Sequence, residues 1–378
     1  MLAQTPPMGW NSWNTFGSRI DEKLLRDTAD AICDLGLKEA GYEYVVIDDC
    51  WALEDRDENG RMVADPEKFP SGMKALADYI HSKGLKFGIY SCAGVRTCAG
   101  YPGSFDYEFI DAQTFADWGV DYLKYDFCFK PWLSDGPMLY NRMAMALKST
   151  GREILFSACN WGSDEVEKWI RSAGAHIYRS TGDISDNFQS FVDIAKSQFD
   201  KMAYSLPGCF NDLDMLIVGM RGAGNVGNGG CTDAEYRMHF ALWCLFHSPL
   251  MIGADLSKLN ETDLALLKNE ELLSIARDPE ARTPMLYQEH PDYQEIRPIF
   301  LKHLANGEYI IAFFNFNDRL YRPGMNLYDI GIPVTAGYGF EGYEIFSGET
   351  LEWTDTTVFA EVPSHDCRIF RVKLTKKK

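Results

Sequence analysis

The sequence predicts an α/β fold: a (β/α)8 barrel followed by a C-terminal antiparallel β-sandwich. Three observations predict it. The chain has 378 residues, too many for a single core of ordinary size. Eight short apolar runs recur with helical stretches between them, at the spacing of parallel βα units. After about residue 278 the helical period stops and short alternating runs take over. The expected domains are 1–278, a catalytic barrel, and 279–378, an antiparallel β domain. A doubly wound sheet is the competing arrangement for the first of them.

The eight expected strands are MGWNSW (8–13), YVVIDD (44–49), KFGIYS (86–91), YLKYD (122–126), ILFSAC (154–159), HIYRST (176–181), MAYSLPGCFND (202–212) and HSPLMIG (247–253). Their interiors carry few charges, as strands covered on both faces do. Ser71 is placed to cap a helix carrying Met73, Leu76, Ala77 and Ile80 on one face and stopped by Gly84. Thr232 and Glu235 form a capping-box pattern ahead of YRMHFALWCLFH. The later runs EIRPIFLKHL, EYIIAFFNF, YEIFSG, TTVFAEVP and CRIFRVKL are separated by Gly, Asn and Pro turns.

Composition excludes several classes. Formal net charge is −18, and no Lys/Arg stripe offers a surface for nucleic acid. The terminal KLTKKK reads as a frayed tail. No run approaches the ~20 apolar residues of a membrane span. MLAQTPPMGW lacks the basic start and apolar core of a secretory signal, so a cytoplasmic protein is expected. The ten cysteines include no CxxC pair, which argues against a zinc knuckle; most read as small buried hydrophobes. No cofactor and no metal are expected. GAGNVG (222–227) matches GxGxxG but lacks the acidic residue about 20 positions on. His247 reads as a structural histidine.

The chemistry lies at strand ends. Asp48 and Asp49 end the second strand and Tyr90 the third. Lys124 and Asp126 end the fourth. Cys159 and Trp161 close the fifth. Arg179 and then Asp183 follow the sixth, and Asp212 and Asp214 the seventh. In a barrel all these ends converge on one face. Carboxylates, one Lys, one Arg and several aromatic rings suit a sugar, whose C–H face stacks and whose hydroxyls hydrogen-bond. Two of the carboxylates suffice for glycoside hydrolysis. Lys124 and Asp126, two apart on a strand, point to the same side. The ammonium is expected to keep Asp126 ionised as nucleophile. Asp183, in RSTGDISDNF, is the candidate acid/base, with a raised pKa. The plainer readings are a structural ion pair for Lys124 and Asp126, a loop cap for Asp183, a metal site at Asp48, Asp49, Asp212 and Asp214, core positions for Trp10 and Trp161, and a salt bridge for Arg179. Asp186 reads as a solvated or capping residue.

MGWNSW, VIDDCW, GIYS, TCAGYPGS, LKYDFC, SACNWG, RSTGDI, NDLDML and HSPLMIG, in that order, resemble the α-galactosidases of glycoside hydrolase family 27. The resemblance runs from Pro6 to about Leu256. It implies retaining double displacement on terminal α-galactosides, with Asp126 as nucleophile and Asp183 as acid/base. It implies Asp48 and Asp49 at O4 and O6 of galactose, Lys124 at O3 and O4, and Arg179, Cys159, Asn160 and Trp161 around the 2-hydroxyl. Trp10, Tyr90 and Met215 would line the pocket, with Asp214 at its edge. Cys98 would be a lining residue too, at the family position that pairs with Cys128; the sequence leaves open whether that pair is bonded or, as a cytoplasmic location would allow, reduced. Where the family reads PGGWNDPDML, this chain has Cys209, Phe210 and Leu213 in place of Gly, Trp and Pro, which touches the pocket wall. The insert VGMRGAGNVGNGGC is placed to shape the rim or an oligomer contact. The rivals on this scaffold are an α-N-acetylgalactosaminidase, decided around Asn160 and Ser163, and a β-L-arabinopyranosidase, against which Asp49 at O6 argues. A non-catalytic galactoside-binding protein is the rival from another class. The expected partner is a small carbohydrate, with a homo-oligomer as an option.

Overall fold

The computed structural model describes residues 2–287 and 298–376. Eight parallel strands form one sheet: β1 (Met8–Asn11), β2 (Tyr44–Val46), β3 (Lys86–Cys92), β4 (Tyr122–Asp126), β5 (Leu155–Cys159), β6 (Ile177–Arg179), β7 (Phe210–Asp212) and β8 (Leu250–Ile252). The order is β7-β6-β5-β4-β3-β2-β1-β8. From β1 to β7 each strand pairs with the next, and β1 pairs with β8. A parallel bridge from Leu216, just past β7, to Ile252 of β8 closes the ring. A doubly wound sheet would reverse its strand order partway across, and no reversal occurs.

Inside the ring, Tyr44, Val46, Tyr122, Leu155, Ile177, Phe210 and Met251 fill the space as a packed core. Outside it, helices α1 to α10 cover the sheet: Trp13–Phe16, Glu22–Asp34, Gly72–Ser82, Glu108–Trp118, Gly136–Ser149, Ile170–Ala173, Phe188–Lys196, Asp233–Leu245, Glu261–Leu267 and Glu270–Ala276. Asp21, Asp135 and Asn187 cap α2, α5 and α7 with side-chain oxygens. Thr232 and Glu235 make the expected capping box at the start of α8.

Three local expectations need correction. Ser71 stands before α3 with helical backbone (φ −87°, ψ −7°) rather than the extended backbone of a cap, and its side chain makes no capping bond; its backbone N–H donates to Glu22 Oε2 at 3.0 Å. The run 202–212 is a strand only from Phe210, and Met202–Tyr204 forms a 3-10 turn. Of the terminal KLTKKK, the described residues 373–376 are not frayed but belong to the last strand. The start of EIRPIFLKHL (295–297) and Lys377 and Lys378 lie outside the described residues.

The second unit is a sandwich. Strands β9 (Met285–Tyr287), β10 (Ile299–His303), β11 (Tyr309–Asn315), β13 (Tyr338–Glu344), β14 (Thr350–Trp353) and β16 (Asp366–Lys376) form an antiparallel sheet ordered β14-β13-β16-β11-β10-β9. Strands β12 (Gly324–Asn326) and β15 (Thr357–Phe359) form a small second sheet. The central strand β11 is apolar on both faces, for a reason visible in its neighbours. Ile311 and Phe313 meet Met325 and Val358 of the small sheet. Ile310, Ala312 and Phe314 belong to the core shared with the barrel helices. Phe300 of β10 packs on Phe246 and Phe199, with ring centroids 5.2 and 5.3 Å away. Arg237 of α8 binds both oxygens of Asp366 on β16, at 2.7 and 2.6 Å. The sandwich therefore braces the outer end of α8.

Thr232→Ala removes half of the capping box at the N-terminus of α8. A loss of about 1 kcal/mol is expected, read as a lower urea midpoint with an unchanged slope. An unchanged midpoint would show that α8 is held by its packing alone.

Candidate active site

Strand register decides which polar residues meet. Tyr90 of β3 pairs with Lys124 of β4, and Cys92 with Asp126. Cys159 of β5 pairs with Arg179 of β6, and Arg179 with Asp212 of β7. The rim residues converge on a cavity of about 90 Å³ at the C-terminal ends of the strands. Asp48 and Asp49 form its wall past β2, Tyr90 and Cys98 along β3 and its loop, and Lys124 and Asp126 on β4. Cys159 and Trp161, Arg179 and Asp183, and Asp214 and Met215 complete it past β5, β6 and β7.

The cavity is a network of buried charges. Lys124 Nζ donates to Asp48 Oδ2 at 2.8 Å, and Asn11 Nδ2 reaches the same oxygen at 2.7 Å. Burial pushes the Lys124 ammonium down, but Asp48, Cys159 and Asp126 outweigh it and leave its pKa well above the ordinary value. Asp49 accepts backbone N–H bonds from Cys50 at 2.7 Å and Ala99 at 2.9 Å. Asp126 accepts from Tyr90 Oη at 3.1 Å and from the Phe127 N–H at 2.9 Å. Arg179 is 3% exposed. It reaches Asp183 Oδ1 at 2.6 Å and Asp214 Oδ1 at 2.9 Å. Trp161 (φ 56°) and Asp214 (φ 79°) both adopt left-handed backbone. Such strain in non-glycine residues concentrates at functional sites.

The two candidate catalytic carboxyls have pKa shifts opposite to those expected from the sequence. Burial pushes Asp126 up to about 6, and the neighbouring Lys124 only partly offsets this. For Asp183 burial also pushes up, but Arg179 outweighs it and holds the carboxyl below its ordinary value. The Asp183 side chain is 76% exposed, so in the empty cavity it leans on the guanidinium from the solvent side.

Two expected site residues stand outside the wall. Trp10 is fully buried against Phe16, and its Nε1–H donates to Ala254 O at 2.8 Å. Trp13, in the turn after β1, lines the cavity instead. Asn160 is fully buried with its amide on Ser163 O at 2.8 Å. Neither it nor Ser163 faces the cavity, so Trp161 and Cys159 set the room beside Arg179. The departures Cys209, Phe210 and Leu213 are buried and also stay off the wall. Cys98 and Cys128 are joined as a disulfide, the pairing implied by the resemblance.

Asn14 and Val226 are wall residues outside the family motifs, and Ile184, the last residue of RSTGDI, is one that was not singled out. Val226 comes from the glycine-rich insert, which serves the rim. Its N–H donates to Asn14 O at 3.0 Å, and the Asn225 N–H to Thr15 O at 3.1 Å. The insert is tied down by Asp186, which is buried rather than solvated. Asp186 accepts from the Gly222 N–H at 2.6 Å and from Tyr236 Oη at 2.9 Å, while its own N–H donates to Val226 O at 3.1 Å. GAGNVG is thus a loop folded onto a carboxylate. His247 Nδ1–H donates to Ala276 O at 2.9 Å, as a structural histidine would.

Residues 5–278 match the family model described as alpha galactosidase A, and residues 296–372 match the alpha galactosidase C-terminal beta sandwich domain. The α-galactosidase of Cyamopsis tetragonoloba is 40% identical over 370 residues, covering 98% of this chain and 86% of that protein. The crystal structure of α-galactosidase I from Mortierella vinacea has a TM-score of 0.90 at 34% identity, covering 100% of this chain and 99% of that one. The α-galactosidase from Saccharomyces cerevisiae with raffinose has a TM-score of 0.90 at 30% identity, covering 99% and 98%.

Asp186→Ala leaves the half-buried Gly222 N–H and the buried Tyr236 Oη without an acceptor. A loss of about 1–3 kcal/mol is expected, measured as a lower melting temperature by circular dichroism. An unchanged melting temperature would show that the insert holds itself.

Proposed function

The chain belongs to the α-galactosidase family of glycoside hydrolases, and we propose that this cavity hydrolyses terminal α-galactosides by retaining double displacement. One observation carries the reading: Asp126, beside Lys124 on β4, shares a single small cavity with Asp183 and the Arg179 that restrains it. Asp126 is the nucleophile. It attacks the anomeric carbon, the bond to the leaving oxygen breaks, and a glycosyl-enzyme ester forms. Asp183 gives its proton to the leaving oxygen. It then takes one from the water that hydrolyses the ester. Tyr90 Oη holds one Asp126 oxygen and the Phe127 N–H the other, which fixes the carboxylate for attack. Arg179 and Asp214 surround the 2-hydroxyl, and Asp48, Asp49 and Lys124 the hydroxyls on the far side. Trp13, Tyr90 and Trp161 supply apolar ring faces.

Galactose is favoured over N-acetylgalactosamine because the large Trp161 lines the same small cavity as Arg179, which limits the space for an acetamide. The raffinose held by the yeast relative is a terminal α-galactoside of the kind this reading requires.

Initial rates on p-nitrophenyl α-galactoside and p-nitrophenyl α-N-acetylgalactosaminide test the reading side by side. A strong preference for the first is expected. Asp126→Ala should lower that rate by a factor on the order of 10⁴ or more. Preference for the second substrate, or an Asp126→Ala enzyme of full activity, would overturn it.

The pH profile follows from the two carboxyls. The productive form has Asp126 ionised and Asp183 protonated. With Asp126 near 6 and Asp183 below its ordinary 3.8, that form is a minority at every pH. Its fraction is level between the two values. Above about 6 Asp126 is fully ionised and each further pH unit removes Asp183 protons, so kcat/KM falls tenfold per unit. Below the Asp183 value the loss of ionised Asp126 takes over. An acidic plateau with an alkaline limb near pH 6 is expected, the two limbs belonging to the pair as macroscopic values. An optimum above pH 8 would contradict this assignment.

A further inference from the structure

The two sheets of the sandwich are unequal, and the difference leaves a cavity. Six strands form the large sheet, and only β12 and β15 stand opposite it. Met325 and Val358 of the small sheet meet Ile311, Phe313 and Phe340. The rest of that inner face, on β14 and the first half of β16, borders a cavity of about 580 Å³ with Arg237 of α8 in its wall. That volume lies within the ~300–1,000 Å³ of small-molecule sites. It shares no lining residue with the catalytic cavity.

Aromatic rings shape the cavity. Trp353 and Phe370 line it with ring centroids 4.9 Å apart and planes at 61°, so they make a corner rather than a flat patch. Phe346 adds a third ring, with the Arg237 guanidinium 5.2 Å over its centroid. The turn that carries Phe346 is fixed by Glu344, which is 4% exposed and accepts from the backbone N–H groups of Phe346 at 3.1 Å and Ser347 at 2.7 Å.

Polar groups with bonding capacity to spare stand among these rings. Arg237 binds Asp366 through Nε and Nη2, and its Nη1 has no partner among the described residues. Arg368 donates from Nη1 to Cys367 O at 3.2 Å, and its Nη2 is likewise without a partner among the described residues. The carboxylates of Glu349 and Glu361 line the same cavity and receive no hydrogen bond or ion pair from the described residues.

This chemistry restricts the ligand. The carboxylates of Glu344, Glu349, Glu361 and Asp366 outnumber the two guanidinium groups, so an anion is repelled. A cation meets two fixed arginines. A plain hydrocarbon would strip water from the charges between the rings without replacing their hydrogen bonds. What fits is a neutral molecule with an apolar face and many hydroxyls, each able to donate to a carboxylate and accept from a guanidinium. A sugar has both features, and the catalytic cavity combines rings, carboxylates and basic groups in the same way.

Resting on the α-galactosidase reading for the identity of the sugar, we propose that this cavity is a second carbohydrate site, which holds the neutral oligosaccharides that the enzyme cleaves. A sugar ring stacks in the Trp353–Phe370 corner, its hydroxyls accepting from Arg237 and Arg368 and donating to Glu349 and Glu361.

The test is a fluorine NMR titration of the full-length chain with its nine tryptophans replaced by fluorotryptophan. Asp126→Ala keeps the probe, raffinose, intact. Trp353→Phe and Trp161→Phe assign the two reporting signals, one for each cavity. The Trp353 signal is expected to shift and saturate, with a midpoint of about 1–10 mM. Arg368→Ala, a half-exposed position, should raise that midpoint about fivefold or more and leave the Trp161 midpoint unchanged. A Trp353 signal that stays still, drifts without saturating, or ignores Arg368→Ala would overturn the proposal. A Trp161 signal that stays still while Trp353 saturates would place the failure in the catalytic reading instead, with the sandwich site intact.

Discussion

The site depends on the closure of a ring of parallel strands. A closed parallel sheet has no free edge, and every strand ends at the same rim. Residues separated by more than 160 positions, such as Asp48 and Asp214, then share one wall without any direct link along the chain. The Leu216–Ile252 bridge and the β1–β8 pairing close this ring. The side chains packed inside it, from Tyr44 to Met251, form the floor on which the polar layer rests. The charges are affordable only because of that arrangement: Lys124 sits between Asp48 and Asp126, and Arg179 between Asp183 and Asp214, so each buried cation faces carboxylates.

Around that layer the protein has built supports of two kinds. The antiparallel sandwich holds α8 through Arg237 and Asp366 and through the Phe300 cluster. The start of α8 in turn carries Tyr236, whose hydroxyl meets Asp186. Asp186 lies three residues after Asp183 and gathers the glycine-rich insert against the first turn of the barrel. A continuous set of packed and hydrogen-bonded residues therefore runs from the sandwich to the loop bearing the proposed acid/base. The distal domain acts on the cavity by fixing the helix on which that loop leans.

Much of this was legible in the sequence, and the reasons differ by residue. Strand termini such as KYD stood out because a buried-type apolar run has no ordinary use for Lys124 and Asp126. Thr232 and Glu235 were legible because a capping box is local. The failures are non-local. Trp10 and Trp13 sit in the same short motif, and which one faces the cavity depends on β1 ending at Asn11, a boundary no local pattern marks. Ser71 had a better use for its backbone N–H in Glu22, 49 positions away. Asp186 looked like a surface cap because its partners, Gly222 and Tyr236, lie 36 and 50 positions on. Val226 was hidden in a glycine-rich stretch whose spacing mimics another motif. The alternation of β11 was blurred because both of its faces are covered.

The pKa inversion of the two carboxyls has a structural cause that composition does not reveal. A nearby ammonium was expected to settle Asp126 as the ionised partner, but Lys124 is already committed to Asp48 at 2.8 Å, and what Asp126 experiences most is burial. Asp183 was expected to be protonated by crowding among acids. Its closest charge is instead Arg179, an arginine fixed on the opposite side by Asp214. Such a pair is a resting arrangement. A sugar 2-hydroxyl entering beside Arg179 competes for the guanidinium and shields Asp183 from water, and both effects push the Asp183 pKa upward. In the proposed mechanism, substrate beside Arg179 would thus move Asp183 toward the protonated form that its role as acid needs. The same substrate, lying against Asp126 with Lys124 and Tyr90 behind it, leaves the nucleophile's own hydrogen bonds in place. On that reading binding would change the two carboxyls unequally, as the proposed division into proton transfer by Asp183 and attack by Asp126 requires.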